Sequence, residues 1–126
     1  MNIKNTFKKF ILLNIGLFFL LFTSVFLESD EVIRFNESLD AIPTSLLIIS
    51  LIWIISYFVS LYFLYTFKKN GKKLFSILFV LGVVLNLPLG PSAVDSLMYT
   101  IDALSWCSQS AILVFLYFTP VQKYFK

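Results

Sequence analysis

A chain of 126 residues holds one domain at most, and its 59% hydrophobic and 13% charged residues, with a mean hydropathy of +0.88, exclude a small soluble fold. Soluble domains carry roughly 25% charged residues, and a domain this small cannot hide so much apolar surface. The single cysteine, Cys107, excludes an intramolecular disulfide, and the absence of histidine removes the commonest transition-metal ligand and neutral-pH proton shuttle.

The expected architecture is all-α: a four-transmembrane-helix bundle forming one integral membrane domain over residues 1–126. Spanning a bilayer core takes roughly 20 largely apolar residues. The first span is expected over 7–27, opened by a Thr6 cap and uncharged from Phe10 onward. Lys8-Lys9 before an apolar run also resembles a signal peptide. However, 18 uncharged residues are long for its apolar region, and Thr23 to Glu28 lacks a small-x-small cleavage site, so the span is expected to be retained.

Residues 28–42 form an outer loop in which Val32, Phe35, Leu39 and Ile42 recur at helical spacing. A short amphipathic interfacial helix, an ordered loop tucked against the helix ends, and an acidic surface for a protein partner all fit this pattern. The second span is expected over 42–67, stopped at Asn70-Gly71, with Tyr57, Tyr62 and Tyr65 directed to the headgroups. The third, over 74–89, ends at Pro88, Gly90 and Pro91. The fourth covers 93–118, with Ser92 and Asp95 as an approximate capping box and Pro120 just beyond. The alternating pattern of a membrane barrel does not occur.

All nine lysines fall on one side of this arrangement, and Arg34 is the only cation on the other. The positive-inside rule therefore predicts that both termini are cytoplasmic. The lysine clusters are explained by orientation and by lipid headgroups, so no nucleic-acid partner is expected.

Function in a membrane chain is sought among its intramembrane polar residues, because they are costly to insert. Asp95, Asp102, Ser105 and Gln109 form one stripe on the fourth span, and Asn86 on the third lies at the depth of Asp102. Asp102, Asn86, Ser105 and Gln109 are the candidate intramembrane polar site. It is either a proton- or cation-linked site or a set of interhelical hydrogen bonds. Ala103, Cys107 and Ala111, with Ser56 and Ser60, are small residues at helical spacing that allow close helix approach, within the bundle or at a homodimer seam. Asn14 and Gly82 share that ambiguity, and Trp53 and Trp106 are expected to pack rather than mark the interfaces. No phosphate loop, catalytic triad or metal-binding spacing is present, so no cofactor and no enzymatic activity are expected.

The chain ends Phe118-Thr119-Pro120-Val121-Gln122-Lys123-Tyr124-Phe125. This stop after an apolar helix resembles the ending of small uncharacterised four-span bacterial inner-membrane proteins. The resemblance implies a topology and no activity. With no catalytic set, the expected function is binding: an accessory, regulatory or immunity-type protein acting on a membrane partner, or assembling as a homo-oligomer. The alternative is a small oligomeric transporter or channel that uses Asp102.

Overall fold

The computed structural model describes residues 2–89 and 92–126, and all regular structure among them is helical. Five α-helices follow in order: α1 (Ile3–Ser24), α2 (Asp30–Glu37), α3 (Thr44–Tyr65), α4 (Lys69–Asn86) and α5 (Ser96–Phe118). Short 3₁₀ turns follow α1, α4 and α5. Three helical stretches, Ile3–Leu27, Thr44–Tyr65 and Ser96–Phe118, are long and apolar enough to cross a membrane. The α4 helix has 18 residues, and Lys69, Lys72 and Lys73 in its first turns dilute its apolar character.

Several helix ends differ from the sequence expectation. Asn2, not Thr6, caps α1, accepting from the Lys4 N–H at 3.1 Å, while the Thr6 hydroxyl donates to the Asn2 carbonyl. The α3 helix begins at Thr44, because Pro43 supplies the preceding extended residue. It does not stop at Asn70-Gly71. Lys68 N–H donates to Phe63 O at 2.8 Å and Phe67 N–H to Leu64 O at 3.1 Å, closing a Schellman motif with Phe67 in the left-handed region at φ 57°. Glycine normally fills that position. Phe67 holds it because its ring packs on Phe7 and Phe125 at 5.8 and 5.3 Å.

Gly71 therefore serves a different purpose inside α4. A Cβ there would lie 2.9 Å from the backbone of Phe63, so glycine sets how closely α4 approaches α3. Further along, Gly82 meets the Trp53 ring, and the Trp53 indole N–H donates to Leu78 O at 2.8 Å. The α3 and α4 helices thus run antiparallel in close contact. The α1 and α5 helices form the second close pair, and Asp95 is the N-cap position of α5. The Ser92–Asp95 capping box does not form, because the Asp95 carboxylate is used elsewhere. Of the expected breakers, Gly90 and Pro91 lie outside the described residues.

The connections at the end away from the termini are clamped together. Asp95 accepts from Ser29 N–H (2.6 Å) and the Ser29 hydroxyl (3.0 Å). Asn36 exchanges two hydrogen bonds with the backbone of Ala93, at 3.0 and 2.9 Å. These four bonds hold the amphipathic α2 against the connection between α4 and α5.

The apolar core is concentrated at the end that carries the termini. Phe7, Ile11, Leu64, Phe75, Ile112, Leu116 and Val121 are wholly buried there. The C-terminal segment folds onto this end: Lys69 N–H donates to Lys126 O and Lys126 N–H to Phe67 O. The lysines around it sit over aromatic faces, Lys8 4.3 Å from the Tyr65 centroid and Lys72 4.0 Å from Tyr117. Cation–π contacts of this kind contribute about 0.5–1 kcal/mol each at exposed sites.

Candidate functional site

The polar residues singled out in sequence divide between two places. The first is a buried junction near the middle of the bundle. The Tyr57 hydroxyl on α3 donates to Asn14 Oδ1 on α1 at 2.5 Å. Asn14 Nδ2 donates to Ser108 Oγ on α5 at 2.5 Å and approaches Ser105 O at 3.4 Å. Ser108 also donates to Ser105 O at 2.9 Å. One amide thereby joins three helices in a site that excludes solvent, with both Asn14 and Tyr57 at 0% exposure.

Ser105 and Gln109 belong to this buried face. Gln109 Nε2 reaches Ser105 Oγ at 3.5 Å, and its Oε1 is buried without a hydrogen-bond partner. Tyr57 does not reach the headgroups, as its place in the tyrosine series suggested. Its hydroxyl is committed to Asn14, and its ring stacks on Trp53 at 5.1 Å. Tyr62 and Tyr65 remain at the surface.

The second place is a cavity of about 240 Å³ toward the opposite end, where the helices pack less closely. Asp102, Met98 and Tyr99 of α5, Asn86 of α4, Leu21 of α1 and Ser92 line it. Asp102 and Asn86 share this wall without bonding to each other, because Asn86 Nδ2 turns back to Gly82 O at 2.7 Å. Leu21 and Asn86 also line an adjoining groove of about 270 Å³, walled by Phe18, Trp53 and Leu85.

The small-residue ridge divides as well. Ser60 is buried and donates to Tyr57 O, and Ser56 is half-buried. Ala103 and Cys107 are exposed instead of packing inside the bundle, since α5 turns Ser105, Ser108, Gln109 and Ile112 inward. Cys107 and Ala111 rim an apolar groove of about 260 Å³ between α1 and α5. Trp106 packs edge-on against Phe79 at 5.6 Å.

Sequence reasoning did not connect Asn14 with Tyr57 and Ser108. The available signal was Asn14 itself, the only amide in the uncharged run from Phe10 to Leu27. Among the described residues no group of acidic, cysteine or histidine side chains is arranged to hold a metal ion. No protein-family model, curated protein or solved structure matches the chain.

Proposed function

We propose that this chain is a four-span protein of a bacterial inner membrane, with both termini cytoplasmic, that acts by binding a membrane partner as an accessory, regulatory or immunity-type protein. The observation that carries this reading is the sealed core at the lysine-rich end. The Asp102 cavity ends above the Asn14–Tyr57 junction, and below that junction Phe7, Phe75, Ile112 and Leu116 fill the bundle. A solute path through one copy would have to open that layer.

Crossing by α4 is the fourth span of the proposal. Its 18 residues extend about 27 Å at 1.5 Å per residue, close to the thickness of a bilayer core. Contacts at Gly71 and Gly82 support a course beside α3 for most of that length. Lys69, Lys72 and Lys73 then extend their ammonium groups toward the headgroups, as long basic side chains do. The nine lysines at one end and the ending at Phe118-Thr119-Pro120 support the orientation and the membrane assigned.

Two measurements test the reading. Purification in gentle detergent should yield a stoichiometric partner, and proteoliposomes holding the chain alone should carry no flux. A pure homo-oligomer with solute flux would replace the reading with its alternative. That alternative, an oligomeric transporter or channel, is favoured by one observation, the carboxylate of Asp102 in a cavity. It requires flux that disappears in Asp102→Asn.

A further inference from the structure

We propose that the Asp102 cavity and the groove beside it form one binding site for a small amphipathic organic cation, with the ammonium group at Asp102 and the apolar tail in the groove. This goes beyond attachment to a membrane partner and does not depend on it.

The argument begins with charge. Among the described residues, Asp102 is the only ionisable group other than the Tyr99 phenol in the cavity wall, and no lysine or arginine lines it. The nine lysines belong to the segments at the other end of the bundle, and Arg34 sits exposed on α2. Asp95, the neighbouring acid on the same stripe, is already occupied by two hydrogen bonds from Ser29. A carboxylate within an apolar span is costly to insert, and a cation beside it offsets that cost.

Shape supplies the second part. The cavity wall adds the Asn86 amide and the Ser92 hydroxyl to Asp102, all able to accept N–H donors from an ammonium group. The adjoining groove is almost entirely apolar, with Phe18, Trp53, Ile54 and Leu85 along it and Ser50 at one side. Leu21 and Asn86 are common to both, which sets the compartment for the head beside the compartment for the tail. The Tyr99 ring in the head compartment favours a cation over an anion of the same shape. Volumes of about 240 and 270 Å³ fit a ligand with a compact head and a single ring or short chain as tail.

The test uses the full chain in nanodiscs, with empty nanodiscs as the partitioning control. Phenylbutylammonium is titrated beside phenylbutanol and phenylbutyrate, which keep the tail and change the head. The ammonium compound should bind saturably, one per chain, at least tenfold tighter than either. Asp102→Asn should abolish the preference for ammonium over alcohol. Ser50→Phe, which fills the groove, should remove the advantage of phenylbutylammonium over butylammonium. Tyr99→Lys, at an exposed position in the cavity mouth, should weaken ammonium binding at least tenfold and serves if Asp102→Asn does not fold. Equal binding of ammonium and alcohol by the unaltered chain overturns the proposal. So does an ammonium preference that survives in a folded Asp102→Asn or Tyr99→Lys, or a phenyl advantage that survives in Ser50→Phe.

Discussion

Replacing Asn14 with leucine, alone and together with Tyr57→Phe, measures the junction that joins α1, α3 and α5. Each single change leaves a different group without its partner. Tyr57→Phe removes the donor to Asn14 Oδ1, which then has no replacement at a site with no exposure. Asn14→Leu leaves the Tyr57 hydroxyl without its acceptor, whereas Ser108 keeps its bond to Ser105 O at 2.9 Å. An unsatisfied buried group costs about 1–3 kcal/mol in water-soluble cores. Interhelical hydrogen bonds in membrane bundles average about 0.6 kcal/mol, with a maximum near 1.7. Full burial places this pair toward the upper end of that range.

Each single variant is therefore expected to lose about 1–2 kcal/mol, and the pair to couple by about 1–1.7 kcal/mol. The double variant should be little worse than either single one, because two apolar groups then face each other. Reversible unfolding in mixed micelles, titrated with a denaturing detergent, provides the measurement. Emission from Trp53 reports directly, since that ring stacks on Tyr57. A coupling energy below about 0.3 kcal/mol, the usual scatter for independent sites, would refute the junction as an energetic unit.

Three further outcomes follow from local geometry. Gly71→Ala places a Cβ 2.9 Å from Phe63 backbone and should cost about 1–3 kcal/mol, whereas Gly16→Ala meets nothing within 4 Å and should gain about 0.5–1 kcal/mol in the same unfolding assay. Asp95→Ala removes both acceptors of Ser29, so amide hydrogen exchange should speed up across α2 while the overall unfolding midpoint changes little. Gln109→Leu eliminates the orphaned Oε1 at the loss of one long bond to Ser105, and should leave stability unchanged or raise it by up to about 1 kcal/mol.

How far the molecule was legible in its sequence depended on which physical signal each residue carried. The long apolar runs and the amphipathic spacing within residues 28–42 were legible because length and periodicity encode them directly, and α2 forms within that segment. Helix ends were less so. Phe67 terminates α3 in a conformation that normally selects glycine, because tertiary packing of its ring outweighs the local preference. Gly71, the residue that looked like the stop, is needed inside the next helix. The inward face of α3 was hidden for a related reason. A helix apolar all round gives its lipid-facing and core-facing sides the same composition, so nothing in its sequence separates buried Tyr57 from exposed Tyr62.

The stripe of Asp95, Asp102, Ser105 and Gln109 shows why polar spacing alone does not define a site. One helix face presents all four, yet each is used according to the element beside it. At the helix start Asp95 meets a loop with free donors and becomes a clamp. About 10 Å further along, at seven residues of 1.5 Å rise, Asp102 faces a gap between helices. One turn deeper, α1 closes over the face with Asn14, so Ser105 offers its carbonyl to a buried amide. Gln109 lies within the packed layer, where only one end of its amide finds a partner. Of the four, only Asp102 combines an ionisable carboxyl with open volume, which is why ligand chemistry is proposed at that depth and structural roles at the other three.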